Sequence, residues 1–278
     1  MTFDKDSAAL DNLPPLREVI AAHDLSAQKA LGQNFLLDQN VTDKIVRAAG
    51  DLSGATVFEI GPGPGGLTRS LLRSAAERVV AIEFDTRAVQ ALQDLKACVP
   101  DRAEIIHGDA LGTKLPELSG VPRAIVANLP YNIATPLLIN WLKEIRKDQS
   151  TYRSMTLMFQ KEVGDRLCAR PGSKAYGRLS IIAQWLCSVR GVYELPPSAF
   201  TPPPKVKSVV VHFVPKVSGE NAPSFESLEV VTAAAFGQRR KMIRSSLRAY
   251  AERIEALGID PTKRAENLSV EEFLKIAQ

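Results

Sequence analysis

The sequence has few of the features that mark secreted, zinc-binding or membrane-spanning proteins. Its 278 residues include only three cysteines, Cys98, Cys168 and Cys187, which are far apart and odd in number. This spacing indicates neither a disulfide framework nor a zinc site, so we expect no bound metal. No segment has the ~18 unbroken apolar residues of a membrane span, and residues 1–16 lack the apolar stretch of a secretion signal. We therefore expect a cytoplasmic protein without a membrane partner, and we also expect a monomer, although nothing in the sequence determines the oligomeric state.

A strong charge bias is also missing. The formal net charge is +4, and the isoelectric point is near 8.9. Such a weakly basic chain permits a polyanionic partner but does not require one. The length suits one large domain with a smaller appendage.

Short apolar and β-branched runs alternate with longer mixed segments. The runs occupy residues 55–60, 78–84, 103–108, 123–128, 156–159 and 207–213. Their alternation predicts an α/β fold built from βαβ units, with a largely parallel sheet covered by helices. One helix is expected to have Asn40 as its N-cap and to end before Gly50.

The pattern changes after Phe213. Residues 214–224 indicate a linker, and residues 224–278 show helical spacing with no convincing strand. We therefore predict a domain over residues 1–217, with a helical extension over about 1–50, and a small all-helical domain over 218–278.

A glycine-rich loop, GPGPGG (61–66), follows the first strong strand. It satisfies the dinucleotide fingerprint GxGxxG. Glu83 follows it by ~20 residues, the sequence distance at which such proteins have a ribose-binding acid, so a nicotinamide or flavin enzyme is one alternative. Pro62 and Pro64 count against it, because each removes a backbone donor that a pyrophosphate would need. S-adenosylmethionine has no phosphate and still needs an acid for its ribose, with Asp109 available for its adenine amino group. The loop favours that cofactor, while a plain packing turn stays open.

The run over 123–128 ends in Asn128-Leu129-Pro130-Tyr131. Pro130 has no N–H and holds Leu129 extended, so carbonyl groups here lack competing donors. Beside a methyl donor, the Asn128 side-chain oxygen and the Leu129 carbonyl could accept the hydrogens of an adenine amine and stabilise charge developing on its nitrogen. Tyr131 would stack on the base. A strand-ending turn without a role in catalysis is the alternative.

Six sequence blocks together resemble the rRNA adenine dimethyltransferases. They are KALGQNFLLD (29–38), FEIGPGPGGLT (58–68), IEFD (82–85), GDAL (108–111), AIVANLPYNI (124–133) and FTPPPKVKSVV (200–210). The resemblance is greatest to the bacterial branch that dimethylates two neighbouring adenosines in a hairpin near the 3′ end of small-subunit rRNA. It implies a Rossmann-like class I methyltransferase domain, S-adenosylmethionine as cofactor, and an assembling 30S-type particle as partner.

The resemblance also implies roles for individual residues. Cofactor contacts are expected from Asn34, Leu36, Gly61, Gly63, Glu83, Asp109 and Asn128. The implied catalytic residues are Asn128, Leu129, Pro130, Tyr131 and Phe200. Phe200 would cover the target base opposite Tyr131, although a core anchor for the following prolines is an alternative for this residue.

Two basic segments could contact RNA. The segment 237–253 predicts a helix with Arg240, Arg244 and Arg248 on one face, at positions i, i+4 and i+8. Arg239 and Lys241 would lie beside that face. A second cluster consists of Arg166, Arg170, Lys174 and Arg178. Such stripes are usually solvated faces, but an rRNA substrate favours phosphate contact.

Two further functions remain alternatives at this point. An antibiotic-resistance methyltransferase acting on large-subunit rRNA would share the core blocks, so only the substrate separates it with certainty. A non-catalytic RNA-binding or transcription factor could use the same fold, although the intact set over 128–131 argues against it.

Overall fold

The computed structural model describes residues 7–25, 33–217, 219 and 222–278. The residues outside this description are 1–6, 26–32, which include the start of the first family block, and three positions of the predicted linker, 218, 220 and 221. Within the described ranges, no helix combines the length and apolar character needed to cross a membrane.

The described part of the chain contains nine strands and twelve α-helices, joined by loops and short 3-10 turns. The strands are β1 (Phe35–Leu36), β2 (Thr56–Ile60), β3 (Arg78–Glu83), β4 (Ala103–His107), β5 (Arg123–Ala127), β6 (Ser154–Gln160), β7 (Cys187–Leu195), β8 (Phe200–Thr201) and β9 (Ser208–Pro215). The helices are α1 (Ser7–Asp11), α2 (Leu16–Ala22), α3 (Gln39–Ala48), α4 (Gly66–Arg73), α5 (Thr86–Cys98), α6 (Ala134–Lys147), α7 (Lys161–Leu167), α8 (Arg178–Leu186), α9 (Phe225–Gly237), α10 (Ile243–Ser246), α11 (Ala251–Ala256) and α12 (Val270–Ala277).

Seven strands form one sheet in the order β4-β3-β2-β5-β6-β9-β7. The first five are parallel, and β9 lies antiparallel between β6 and β7. From β2 the chain runs outward through β3 and β4 and then returns to β5 on the other side of β2. The order therefore reverses between β2 and β5, and the carboxyl ends of strands at such a point form a crevice for ligands.

The six predicted strands are all present, but the two-residue strands β1 and β8 and the longer strand β7 were not predicted. Strand β7 left little signal in the sequence. Its residues, CSVRGVYEL, alternate imperfectly, and only Cys187 and Leu195 at the two ends are buried. A bulge between Gly191 and Tyr193 interrupts its pairing with β9. An edge strand with one bulge and few buried side chains gives little apolar periodicity in sequence.

Helix α3 begins two residues before the expected position. Its N-cap is Asp38, whose carboxylate accepts from the Asn40 N–H at 2.9 Å, so Asn40 lies inside the helix and is not its cap. The expected end is confirmed, since Gly50 follows the helix with a φ of 80° that favours glycine.

The described residues after β9 form helices joined by turns and contain no strand, and helix α9 packs against α8. Trp185 lies 6.1 Å from Phe225, and Tyr176 lies 6.3 Å from Phe236, measured between ring centroids. These residues belong to the same apolar cluster as the side chains under β2, β5 and β6. The division of the chain near residue 217 stays a prediction.

The single basic helix predicted over 237–253 is wrong. The chain turns after α9, and α10 spans only four residues before a short 3-10 turn leads into α11. Long-range pairing breaks the helix: the Ile243 N–H donates to the Lys263 carbonyl at 2.8 Å, and Met242 forms an isolated bridge with Arg264. The expected i, i+4, i+8 arginine face therefore does not form.

Candidate active site

A cavity of about 260 Å³ lies at the carboxyl ends of β2, β3, β4 and β5. All seven residues predicted to contact a cofactor line it: Asn34, Leu36, Gly61, Gly63, Glu83, Asp109 and Asn128. They come from five separate parts of the chain. The reversal of strand order brings them together, as the Rossmann-like topology predicts.

The backbone of the glycine loop has no donor to offer a pyrophosphate over residues 61–65. Three N–H groups already donate within the protein: Gly61 to the Ile82 carbonyl at 2.9 Å, Gly63 to Glu83 Oε2 at 3.0 Å, and Gly65 to the Pro62 carbonyl at 3.0 Å. The two prolines of this loop have no N–H at all. This arrangement disfavours a nicotinamide or flavin dinucleotide, whose pyrophosphate relies on such donors.

Glu83 ties the glycine loop to β3 through its carboxylate. Oε2 accepts from Gly63, while Oε1 accepts from the N–H groups of Phe84 at 2.8 Å and Asp85 at 2.9 Å. Burial raises the pKa of Glu83, and these backbone donors oppose that shift by stabilising the ionised form. Because each carboxylate oxygen can accept two hydrogen bonds, Oε2 retains one position for a ribose hydroxyl.

Glu59 is a site residue that the sequence interpretation missed. It lies inside β2, lines the cavity and is 2% exposed, and its Oε2 has no hydrogen-bond partner among the described residues. Burial raises the pKa of this carboxyl to about 8. A buried carboxylate oxygen without a partner fits a ligand that brings a donor or a positive charge, and the ammonium group of S-adenosylmethionine is such a group. The sequence did contain a signal for this residue, since Glu59 is an acid within an otherwise apolar predicted strand.

Two exposed apolar side chains lie on the cavity wall near Asp109. Phe84 is 62% exposed and Leu111 is 40% exposed, and both line the cavity. Asp109 Oδ1 accepts from the Leu111 N–H at 2.9 Å, which holds this turn in place. An acceptor beside two apolar surfaces suits a flat ring with an amino group, such as the adenine of the cofactor.

The described part of the first family block, residues 33–38, lies against the glycine loop. In this block, Leu36 of β1 pairs with Phe200 of β8, and a Cβ atom on Gly66 would overlap the Leu36 carbonyl oxygen. Glycine at this position therefore allows the close approach of the two backbones. Two residues before Leu36, the Asn34 carbonyl accepts from Asn128 Nδ2 at 3.0 Å.

This hydrogen bond fixes the orientation of the Asn128 amide. A carbonyl can only accept, so Nδ2 must face Asn34, and Oδ1 is left as the acceptor for another group. The neighbouring Leu129 side chain is buried, and its carbonyl receives no hydrogen bond from the described residues. Two acceptors therefore lie side by side at the end of β5, with Asn128 and Pro130 on the cavity wall.

The two aromatic residues predicted to hold the target base differ in their surroundings. The Tyr131 hydroxyl lies 2.6 Å from Ser208 Oγ on β9, and partial burial raises the pKa of Tyr131. Phe200 is 3% exposed and belongs to an apolar cluster with Leu36 and Met158. Neither ring lines the cavity, and in this structure Phe200 has the surroundings of a core residue.

The predicted RNA-binding cations fall into two groups. Arg239 and Arg166 form ion pairs, with Glu266 and Glu162 respectively. The remaining residues are exposed and form no ion pair with another described residue: Arg170, Lys174, Arg178, Arg240, Lys241, Arg244 and Arg248.

The two basic segments meet in space. Arg239 donates to the Lys174 carbonyl at 2.6 Å, and the Gly172 N–H donates to the Glu266 carbonyl at 2.6 Å. The two basic segments are therefore neighbours in the structure.

Comparison with known proteins agrees with this geometry. The family model described as ribosomal RNA adenine dimethylase matches residues 24–278. The chain belongs to this family of rRNA adenine dimethylases. It is accordingly an S-adenosylmethionine-dependent enzyme that dimethylates adenine in rRNA, and the dehydrogenase alternative and the non-catalytic alternative are wrong.

Individual relatives of this dimethylase cover nearly its whole length. The ribosomal RNA small subunit methyltransferase A of Rhodospirillum rubrum is 55% identical over 271 residues, which cover 96% of this chain and 93% of the relative. The protein of the same name from Ruegeria sp. is 54% identical, with 98% of each chain covered.

Solved structures also resemble the dimethylase. The crystal structure of a dimethyladenosine transferase from Plasmodium falciparum superposes with a TM-score of 0.74 at 27% identity, covering 86% of this chain and 94% of that one. The 23S rRNA methyltransferase ErmE reaches a TM-score of 0.67 at 24% identity, over 88% of this chain and 98% of that one, and shows a shared fold.

Proposed function

We propose that this dimethylase modifies the N6 amines of two adjacent adenosines in the 3′-terminal hairpin of small-subunit rRNA, within an assembling 30S-type particle in the cytoplasm. The names of the bacterial relatives support the choice of the small subunit. Similarity to the bacterial branch of the family supports the choice of the hairpin.

The residues around the cavity fit the cofactor on chemical grounds. Glu59 would receive the ammonium group, Glu83 Oε2 a ribose hydroxyl, and Asp109 the adenine amino group between Phe84 and Leu111. S-adenosylmethionine supplies an already electrophilic methyl group, so the protein has mainly to present a nucleophile in line with it.

The observation that carries the proposal is the fixed Asn128 amide. Its Nδ2 is held by the Asn34 carbonyl, so its Oδ1 and the Leu129 carbonyl form a pair of preorganised acceptors. An adenine amine donates one hydrogen to each, which favours the pyramidal nitrogen and stabilises the charge that develops on it. After the first methylation the amine retains a single N–H group. One of the two acceptors is then sufficient to hold the amine for the second methylation.

Tyr131 would support the base through its ring. The hydrogen bond between its hydroxyl and Ser208 fixes the ring position, so the stacking face is set before RNA binds. Stacking of this kind contributes about 1–3 kcal/mol per base. Phe200 could stack on the other face of the base only if its ring left the apolar cluster. Its burial favours a role in supporting the site from the core.

The test is methylation of partly assembled small subunits that lack the modification. Purified enzyme and labelled S-adenosylmethionine are incubated with these particles, with large subunits, or with a short isolated hairpin, and the modified nucleotides are mapped. We expect two adjacent modified adenosines in the small-subunit particle and little label elsewhere. Label in large-subunit rRNA would instead support the resistance-type alternative.

A further inference from the structure

A second cleft lies in the C-terminal segment, outside the cavity that holds the cofactor candidates. It has a volume of about 660 Å³, within the range of sites that bind small ligands. It forms where the turn after α9 meets α10 and the 3-10 turn that follows. We call it the C-terminal cleft, and its polar lining consists of Gln238, Arg244, Ser245, Ser246, Arg248 and Tyr250.

The charge in the C-terminal cleft is uncompensated. Arg244 and Arg248 form no ion pair with a described residue, and no carboxylate is among the residues that line the cleft. Other arginines of the segment are engaged: Arg239 pairs with Glu266, and Arg253 donates to the Ile276 carbonyl. Two unpaired guanidinium groups in one concave surface favour an anion, and phosphate in particular.

The C-terminal cleft also contains an unsatisfied hydroxyl group. Ser246 Oγ is buried and has no hydrogen-bond partner among the described residues. Leaving a buried polar group unpaired costs about 1–3 kcal/mol, so a ligand that pairs with this hydroxyl would gain free energy on binding.

The remaining wall is aromatic. Tyr250 is half-buried, packs against the main apolar cluster, and lines the C-terminal cleft beside Arg248. An anchored ring next to guanidinium groups provides a stacking face for a base and donors for its phosphate. A concave site of this composition suits a nucleotide that projects from RNA better than it suits the smooth backbone of a helix.

From these four features we propose that the C-terminal cleft binds one unstacked nucleotide of the rRNA, with its phosphate on Arg244 and Arg248 and its base against Tyr250. The proposal rests on the proposed function, since it takes the substrate to be RNA. It assigns the two arginines to one nucleotide in a pocket, and not to successive phosphates along a helix face.

The experiment compares three variants with a charge-matched control. Tyr250→Leu keeps apolar packing but removes the stacking face, Ser246→Ala removes the unpaired hydroxyl, and Arg244→Gln/Arg248→Gln removes two charges. The control, Arg264→Gln/Lys275→Gln, removes two exposed charges of the same segment outside the C-terminal cleft. Binding to the unmodified small-subunit particle is measured against salt, together with chemical probing of the RNA bases.

Tyr250→Leu should weaken binding to the particle about 5–150-fold. It should not change the salt slope, which is the slope of the logarithm of the affinity against the logarithm of the salt concentration, because stacking is not ionic. The double arginine variant should lower that slope by roughly one unit for each phosphate that is no longer neutralised. Ser246→Ala should weaken binding without lowering the free energy of unfolding. Probing should show one base protected by wild type and by the control, and exposed with Tyr250→Leu.

Unchanged affinity and an unchanged footprint with Tyr250→Leu would overturn the proposal. A control that weakens binding as much as the double arginine variant would also overturn it, because only bulk charge would then matter. Methylation of the particle by wild type, measured in the same samples, tests the proposed function separately. S-adenosylmethionine binding by each variant shows that the active-site cavity is intact.

Discussion

Replacing Glu59 by glutamine should separate the stability of the dimethylase from its cofactor affinity. Burial raises the pKa of this carboxyl from 4.5 to about 8. A carboxyl whose pKa is raised by folding stabilises the protein fully below the unfolded pKa, and this contribution is lost as the pH rises toward the folded value. The loss proceeds at about 1.4 kcal/mol per pH unit.

The expected magnitude follows from these two pKa values. Between pH 5 and pH 7 the free energy of unfolding of wild type should fall by roughly 2–3 kcal/mol through Glu59 alone. Glu59→Gln stays neutral, so its free energy of unfolding should rise relative to wild type over that interval. Chemical denaturation of both proteins without ligand, with exposed Glu77→Gln as control, measures the difference.

Cofactor binding should change in the opposite direction. An ammonium group pairs with the ionised carboxylate, and the ionised fraction of a group with a pKa of about 8 rises roughly tenfold from pH 6 to pH 7. Wild-type affinity for S-adenosylmethionine should rise accordingly, whereas Glu59→Gln should bind more weakly and without this dependence. A stability difference independent of pH would refute the burial argument, and equal affinities at every pH would refute the ammonium contact.

Three further predictions concern the base site. Asn128→Ala should lower the rate of single-turnover methylation on the order of 10²–10³-fold, by analogy with the loss of one preorganised electrostatic contact in other enzymes. Its affinity for the cofactor should change little. A near-normal methylation rate would contradict the role of Asn128. Tyr131→Phe should cost about 1–3 kcal/mol in the free energy of unfolding because it leaves the buried Ser208 hydroxyl unpaired, and adding Ser208→Ala should recover part of that loss in a double-mutant cycle. Phe200→Ala removes a buried ring and should lower the free energy of unfolding by about 3–5 kcal/mol. Phe200→Leu is therefore the better test of stacking. Wild-type methylation kinetics in Phe200→Leu would show that Phe200 acts only as a core anchor.

Local sequence signals were sufficient to predict the central strands and to identify residues that line one cavity. Each strand from β2 to β5 is an apolar run followed by a glycine, acid or amide, so the end of the strand and its functional residue are adjacent in sequence. The rule that parallel strands end at one edge of the sheet then brings Gly61, Glu83, Asp109 and Asn128 together without further information.

The failures occurred where distant residues decide the local structure. The basic run over 237–253 has good helical periodicity, yet backbone pairing with residues 263 and 264 ends the helix. Arg239 and Arg240 are equivalent in sequence, but only Arg239 reaches Glu266. That Glu59 Oε2 lacks a hydrogen-bond partner among the described residues is likewise visible only when every neighbour of the carboxyl is known, since the sequence shows an acid in a strand and nothing about its partners.

The first family block is the part of the structure that links the cofactor and base sites. Its backbone passes so close to Gly66 that no side chain fits there, its Asn34 carbonyl orients the Asn128 amide, and its Leu36 pairs with Phe200. A change that shifts this backbone would therefore displace the glycine loop and the Asn128 acceptor together. Because the segment over residues 34–36 fixes both positions, we expect its contribution to catalysis to be geometric and to need no acid or base of its own.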